Sequence, residues 1–219
     1  MREGALSLLA RWKVDELLRE QPGLRLAPSR NGAVRLSGTL SFTAEKPGLE
    51  RISDSFEVEI AIPEGFPREL PIITEVGGRI PAKFHTNDDG GLCLGSPTRQ
   101  LIAARAAPTL PDYVRTCVIP YFYGFAYYTR HGEMAFGELA HGRQGLRDDF
   151  RALFAVDTDS TATEMVRLAG MKKRAANKLA CPCGSGLRLG KCHNRRVNRL
   201  RKLLGRTWFR AQYRLLTGK

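Results

Sequence analysis

The sequence predicts an α+β protein in which antiparallel strands are flanked by helices and followed by a small cysteine-rich appendage. Apolar residues recur at helical spacing near the N-terminus and at alternate positions in two segments between residues 34 and 62. Three cysteines and a histidine are clustered at 181–193, beyond these patterns. With 219 residues, 42% of them hydrophobic, the chain can form one domain with an appendage or two small domains.

The N-terminal elements follow from these periodicities. An amphipathic helix is predicted at residues 5–20, and Pro22-Gly23 ends it. Apolar and polar residues alternate in 34–42 and 56–62, which is typical of an antiparallel sheet with one solvated face. A short apolar strand is predicted at 72–76. The order of helix and then sequential strands favours an α+β layer.

The rest of the chain is predicted to be mainly helical after one long loop. The segments are, in order, a loop (80–111), two helices (109–130 and 143–154), a Ser/Thr/Asp linker (158–163) and a basic, partly aromatic helix (195–216). We place the domain boundary at the linker. One domain then spans 1–157, and a basic helical region spans 158–219.

The positive charge of the chain is concentrated in its last quarter. The net charge is +13, but residues 1–160 hold 19 basic and 21 acidic side chains, whereas residues 161–219 hold 16 basic and one acidic. Such a concentration of positive charge produces a long-range electrostatic field, which attracts nucleic acid or an acidic protein partner. The alternative is a solvated helix face that packs on the main domain. Both interpretations stay open at this stage.

The cellular location is predicted from what the sequence lacks. No segment approaches the roughly 18 apolar residues that span a bilayer, and the N-terminal residues have no signal-peptide core. We therefore expect a cytoplasmic protein with no membrane partner. Its five cysteines are expected to be reduced thiols or metal ligands.

The C-terminal cysteine cluster predicts a structural zinc site. Cys181, Cys183, Cys192 and His193 supply three thiolates and one imidazole, a donor set that suits tetrahedral Zn²⁺ with no ligand position left for substrate. The alternative is four unrelated residues on a basic tail. The Cys-Pro-Cys-Gly-Ser-Gly and Cys-His sequences closely resemble the SEC-C motif over residues 180–194. That resemblance implies a bacterial protein with a small zinc knuckle used for docking.

The long loop carries a candidate acyl-transfer site. Cys93 lies on its glycine-rich part with His85 and Asn87 just upstream. A thiolate can accept an acyl group, and the Asn87 amide can donate to the oxyanion of a tetrahedral intermediate. His141, in a Gly-Glu-x-x-His-Gly pattern, can supply a base or orient the incoming amine. The alternatives are a buried structural cysteine and ordinary turn chemistry around His141.

The order of these features resembles that of the ubiquitin-conjugating enzymes over about residues 1–155. The resemblance includes the N-terminal helix, the strand meander, a proline-bracketed segment at 66–71, the His-x-Asn at 85–87 and the Cys93-Leu94 pair. The family carries His-Pro-Asn shortly before Cys-Leu. In this chain a threonine replaces that proline, the spacing to the cysteine is shorter, and a tryptophan often found downstream is missing.

The resemblance implies a UBC-like fold and a carrier function. Cys93 would hold a ubiquitin-like protein as a thioester, Asn87 would stabilise the oxyanion, and His85 would brace the loop. The implied partners are a ubiquitin-like protein, an adenylating enzyme that activates it, and a protein substrate. The alternatives are a non-catalytic binding module and a nucleic-acid or ribosome-associated factor that acts through residues 161–219. A cysteine protease is less favoured, because no histidine or aspartate is clearly placed as the base.

Overall fold

The chain is a mixed α+β protein that forms two compact units, Met1–Glu138 and Leu139–Lys219. A computed structural model describes residues 5–28, 34–137 and 142–218. The helix at Gly142–Phe154, which the sequence assigned to the first domain, belongs to the second unit, where it packs on the helix that follows it. Of the helices in the described ranges, none combines the length and apolar character that a bilayer crossing demands.

The first unit is built on a four-stranded antiparallel meander, which confirms the predicted strand class. The strands are β1 (Leu24–Ala27), β2 (Val34–Ala44), β3 (Ile52–Ile62) and β4 (Ile72–Glu75), and they are adjacent in chain order. β2 and β3 pair along their whole length, from Val34 opposite Ile62 to Ala44 opposite Ile52. Their alternating apolar side chains are buried on one face. β1 was not expected from the sequence.

The predicted N-terminal helix is interrupted, so a single helix over 5–20 was wrong. Helices α1 (Ala5–Arg11) and α2 (Val14–Glu20) are separated at Lys13, whose φ of 54° is left-handed. The break lies where Trp12 enters the core. The Trp12 side chain is fully buried, and its Nε1 donates to the Phe66 carbonyl at 3.2 Å. The helical periodicity of the segment does not reveal this change of direction.

The aromatic segment forms a nearly continuous helical stretch that packs on the sheet. It consists of α4 (Leu110–Tyr113), a π-helical turn (Val114–Val118) and α5 (Ile119–His131). Phe122 of α5 stacks on Phe56 of β3 with ring centroids 4.4 Å apart. Helix α3 (Pro97–Ala106) lies inside the segment expected to be loop, so that expectation was wrong for these residues. The Ser96 hydroxyl caps it by accepting from the Arg99 N–H at 3.4 Å.

The second unit is helical around a small apolar core. Its elements are α6 (Gly142–Phe154), α7 (Asp159–Gly170), α8 (Lys173–Ala176), a 3₁₀ turn (Leu189–Lys191), α9 (Asn194–Leu204) and α10 (Arg206–Thr217). The expected linker is instead the start of α7, where the Thr158 hydroxyl accepts from the Thr161 N–H at 3.2 Å. The basic helix is divided at Gly205, whose φ is 82°.

Candidate functional site

Residues 85–93 form a short hairpin that ends at Cys93. Thr86 and Leu92 form an antiparallel bridge, and the backbone N–H of Cys93 donates to the His85 carbonyl at 2.7 Å. His85 itself has a left-handed φ of 40°. The two ends of the His-x-Asn to Cys segment, eight residues apart in the sequence, are therefore adjacent in space.

The tip of this hairpin is a tight turn that fixes the backbone of Asn87. The Asn87 N–H donates to the Gly91 carbonyl at 2.8 Å, and the Gly90 N–H donates to the Asn87 carbonyl at 2.9 Å. The Asp89 carboxylate accepts from the Gly91 N–H at 2.9 Å. Gly90 has a φ of 79°, which glycine adopts without the steric cost of a Cβ. The shortened spacing between Asn87 and Cys93 is thus accommodated by a complete set of turn hydrogen bonds.

The hairpin is held on one side by β4 and on the other by α5. On one side the Leu92 N–H donates to the Ile73 carbonyl of β4 at 2.7 Å. On the other side the hydroxyl of Tyr121, on α5, lies 3.1 Å from the Phe84 carbonyl and 3.3 Å from the His85 carbonyl. Burial raises the pKa of Tyr121, which keeps this hydroxyl protonated and able to donate. The Phe84 ring packs among Tyr121, Phe125 and Tyr128.

Cys93 and Asn87 line the same cleft, whose volume is about 210 Å³. Most of its remaining wall is apolar and is formed by Leu70, Pro71, Ile72, Leu92, Leu94 and Pro97. His85 is not among the residues that line it. Its contribution to the site is made by its backbone carbonyl, which accepts from both Cys93 and Tyr121. A cleft of this size admits a narrow extended segment rather than a folded domain.

Two cysteines of the first unit differ in accessibility. Cys93 is partly exposed at the cleft, whereas Cys117, in the π-helical turn, is buried in the core. Burial raises the pKa of the Cys117 thiol, which suppresses its thiolate form. Cys117 therefore has the character of a packing residue, and Cys93 is the thiol of this unit that a reagent can reach.

Of the two histidines near the end of α5, only His131 lies within the described residues. His141, the predicted base or amine-orienting residue, lies outside the described residues. His131 pairs with Glu50, with Nε2 2.8 Å from the carboxylate oxygen, and this hydrogen bond lowers the pKa of Glu50. Arg130 binds the same carboxylate at 2.7 Å. His131 is thus accounted for by a surface network at the end of α5.

The four predicted metal ligands converge in the second unit. Their donor atoms all lie within 4.8 Å of one another. His193 Nδ1 is 3.2 Å from the sulfurs of both Cys181 and Cys192, and Cys183 Sγ lies 3.4 Å and 3.5 Å from the same two sulfurs. The set of three thiols and one imidazole can therefore hold a metal ion.

A small hairpin and the start of α9 bring these ligands together. The Cys181 N–H donates to the Leu187 carbonyl at 2.8 Å, and Ala180 bridges Arg188 across the hairpin. Gly184 and Gly186 at its turn have left-handed φ angles of 77° and 72°. Cys192 follows the 3₁₀ turn, and α9 begins directly after His193. The sequence motif is thus folded as one knuckle.

The thiols of the cluster sit in different surroundings. Burial raises the pKa of Cys181 to about 11, whereas hydrogen bonds from Ser185 lower the pKa of Cys183 to about 6. The Ser185 hydroxyl also lies 3.4 Å from the sulfur of Cys192. A bound cation favours thiolates, so it would offset the cost of ionising the buried Cys181.

Sequence reasoning missed two residues that shape the cleft. Gln100 of α3 lines it and is fixed by two contacts, donating to the Gly95 carbonyl at 2.9 Å and accepting from the Tyr113 hydroxyl at 2.7 Å. Tyr121 holds the base of the hairpin from α5. The only sequence signal for either is the density of aromatic residues in 113–128, which indicates packing without specifying a partner.

The comparisons with known proteins find no relative for either unit: no family model matches the chain, and no curated protein or solved structure matches it at a significant level. The chemistry of the two sites is therefore inferred from their residues and their geometry.

Proposed function

We propose that this chain is a bacterial carrier of the ubiquitin-conjugating type, which accepts a ubiquitin-like protein as a thioester on Cys93 and transfers it to an amine. The main support for this proposal is that Cys93 and Asn87 line the same cleft. An accessible thiol and an amide donor are thus placed on one hairpin, which is held by backbone hydrogen bonds. The apolar walls of the cleft favour a narrow extended chain, such as the C-terminus of a ubiquitin-like protein, over a bulky substrate.

The proposed chemistry consists of two acyl transfers. The Cys93 thiolate attacks the carbonyl of the thioester on the activating enzyme, a new C–S bond forms, and that enzyme's cysteine leaves as a thiolate. A substrate amine then attacks the Cys93 thioester, and the Asn87 amide donates a hydrogen bond to the oxyanion. The C–S bond breaks, Cys93 leaves as a thiolate, and the amine nitrogen loses a proton to water as the amide forms.

The surroundings of Cys93 favour a carrier over a protease. Within the described residues, the cleft lining contains no histidine, and a cysteine protease depends on an imidazole beside its thiol. A thioester is already activated, so its transfer depends mainly on positioning and oxyanion stabilisation. The helices and the four-stranded meander of the first unit support the same UBC-like assignment.

We further propose that the metal of the Cys181, Cys183, Cys192 and His193 cluster is zinc with a structural role, as in the SEC-C motif. Tetrahedral zinc with Zn–S bonds of about 2.3 Å separates neighbouring donor atoms by roughly 3.5–3.8 Å. The closest donor separations here, 3.2–3.5 Å, are at or slightly below that range, and all four donor atoms lie within 4.8 Å of one another. The ion would fix the knuckle and the first turn of α9, and all four of its positions would be filled by protein.

The test traps the covalent intermediate. The Cys93→Ser variant would form an oxyester in place of the thioester, so an adduct should accumulate when the protein is isolated from its native host. Mass spectrometry of the intact protein should detect a base-labile adduct on Cys93→Ser, a thiol-sensitive adduct on the wild type, and no adduct on Cys93→Ala. The matched control is Cys117→Ala, which should still be charged. No adduct on wild type or Cys93→Ser, with the activating enzyme present, would reject the carrier in favour of a binding module.

A further inference from the structure

A row of three cations lies on the outer face of α9. Val197, Leu200 and Leu204 are buried on the inner face of this helix. Arg195, Arg199 and Lys202, four and three positions apart, fall on the opposite face and are exposed. At a rise of 1.5 Å per residue the row is about 10 Å long. We name these three side chains the α9 row.

The α9 row is separate from the basic residues that hold the second unit together. Arg201, on another face of α9, donates to the carbonyls of Leu168 and Ala169 at 2.9 and 3.0 Å and so caps the end of α7. Arg196 donates to the Leu153 carbonyl at 3.3 Å. In the part of the chain that the structure describes, no ion pair includes a member of the α9 row. The fold therefore does not explain these three charges.

Nearby acidic groups do not neutralise the row. The sequence contains no aspartate or glutamate after Glu164. In the second unit, Glu164 pairs with Arg167 at 2.5 Å, and Arg151 pairs with Asp148 at 2.6 Å and with Asp159 at 3.3 Å. The acidic side chains that make these ion pairs lie on α6 and α7 and are already partnered. The charge of α9 is thus available to an external anion.

The metal knuckle extends the row toward the N-terminus of α9. Arg188 and Lys191 are exposed on the knuckle, and Lys191 precedes Cys192 and His193 directly. Since α9 begins at Asn194, a metal ion bound by His193 and the three cysteines would fix the first turn, which carries Arg195. Together with the α9 row, Arg188 and Lys191 make a set of five cations that runs from the knuckle along α9, with no acidic residue between them in the sequence.

We propose that this surface binds the phosphate backbone of a nucleic acid without sequence preference, an activity beyond the carrier function and independent of it. The steps of four and three residues place neighbouring charges about 4.5–6 Å apart along the helix axis, a repeat that can engage successive phosphates along a strand. Arginine, which supplies two of the three members, binds phosphate through two parallel N–H donors.

A nucleic acid fits the α9 row better than an acidic protein does. Protein interfaces bury an apolar centre with a polar rim, and the outer face of α9 presents no large apolar side chain between its three cations. Phosphate contacts need charge alone and carry no base specificity. The row therefore has the features of a backbone-binding surface.

The test measures binding by the full-length, metal-loaded protein. Fluorescence anisotropy with a labelled DNA duplex of about 20 base pairs, and with a single-stranded RNA of about 20 nucleotides, is recorded from roughly 50 to 200 mM salt. We expect dissociation constants of about 10⁻⁴–10⁻⁶ M near physiological salt, weakening steeply as salt rises. Comparison of the two ligands identifies the preferred nucleic acid.

The decisive comparison is between two variants of equal net charge. One is Arg195→Gln/Arg199→Gln/Lys202→Gln. The other is Arg25→Gln/Arg51→Gln/Arg68→Gln, which removes three exposed charges from the first unit. The α9 variant should bind at least about tenfold more weakly, and its salt slope on duplex DNA should decrease by about 2–3, whereas the control variant should bind like the wild type.

Two outcomes would overturn the proposal. One is unchanged affinity and salt slope in the α9 variant, with unchanged metal content to establish that its knuckle is folded. The other is binding of polyglutamate as tightly as nucleic acid at the same ionic strength, which would assign the surface to an acidic protein partner.

Discussion

The backbone N–H of Cys93 donates to the carbonyl oxygen of His85 at 2.7 Å, so the candidate nucleophile and the first residue of the His-x-Asn sequence are joined directly. The same carbonyl lies 3.3 Å from the Tyr121 hydroxyl. Cys93 is thereby tied through one backbone atom to α5, which is packed on the sheet. These contacts hold the backbone of Cys93, from which acyl transfer requires a well-positioned thiol.

Removing the Tyr121 hydroxyl should loosen the base of the hairpin. Tyr121→Phe keeps the ring contacts with Phe84 and loses the hydrogen bonds to the two carbonyls, so we expect about 1 kcal/mol of lost stability and a severalfold slower charging of Cys93. Tyr128→Phe is the control, because the half-exposed Tyr128 packs on the same ring. Charging and thermal unfolding are measured in parallel. Equal charging rates in the two variants would contradict a positioning role for Tyr121.

The five cysteines should separate into three classes of reactivity. We expect iodoacetamide to alkylate Cys93 rapidly in the native protein and Cys117 only on unfolding, because burial raises the pKa of the Cys117 thiol. The three knuckle cysteines should be protected while metal is bound and should react after a chelator is added. Peptide mass spectrometry at timed intervals reports each site. Rapid alkylation of Cys117 in the folded protein would refute its placement in the core.

The sequence predicted the strands best, because burial on one face of a sheet imposes a strict alternation. β3 is the clearest case, since Phe56, Val58, Ile60 and Ile62 are all buried at alternate positions. The same periodicity could not locate the break at Lys13, because both halves of the segment stay amphipathic while a single left-handed residue redirects the chain.

Helix α3 was not predicted, because its sequence has only a weak apolar periodicity. Only Thr98, Leu101 and Ala104 of α3 are buried, and a set with a single large apolar side chain gives little periodic signal. The four candidate metal ligands could be identified from the sequence because they are close together along the chain. The shared cleft of Cys93 and Asn87 could not, because it also depends on contacts of the hairpin with β4 and α5, which are distant in sequence.

The ion pair of Asp54 and Arg79 should give the first unit a pH-dependent stability. The Arg79 guanidinium is 2.9 Å from the Asp54 carboxylate, and its hydrogen bond holds the pKa of Asp54 below the ordinary 3.8. The contribution is therefore fully present above pH 3.8 and is lost as pH falls through the lowered pKa of the folded protein. Because Arg79 is half-exposed, the pair should contribute only about 1 kcal/mol.

Asp54→Asn tests this contribution by urea unfolding at several pH values. The variant should be less stable than the wild type at pH 7, and the difference should shrink below pH 3.8. Asp15→Asn is the control, since its pair with Arg19 is about three-quarters exposed on both sides and should contribute almost nothing. A difference between Asp54→Asn and wild type that is constant with pH would exclude ionisation as the cause.

Loss of one knuckle ligand should release the metal and unfold the region around α9. Native mass spectrometry should find one zinc ion per wild-type chain and none firmly bound to Cys183→Ser, because a hydroxyl is a poor substitute for a thiolate. We expect a loss of several kcal/mol, or more than about 10 °C in the unfolding temperature of the second unit, since structural zinc couples directly to folding. Hydrogen exchange over residues 194–217 locates the effect.

The control for this loss is Cys93→Ser, which makes the same substitution at a cysteine outside the knuckle and should keep the full metal content. Because α9 begins immediately after His193, loss of the metal should increase hydrogen exchange in the knuckle and in α9 together. Chelation of the wild type should therefore reproduce the Cys183→Ser exchange pattern. If the variant instead lost its metal while 194–217 stayed protected, the apolar contacts of Val197, Leu200 and Phe209 alone would be sufficient to hold the helices.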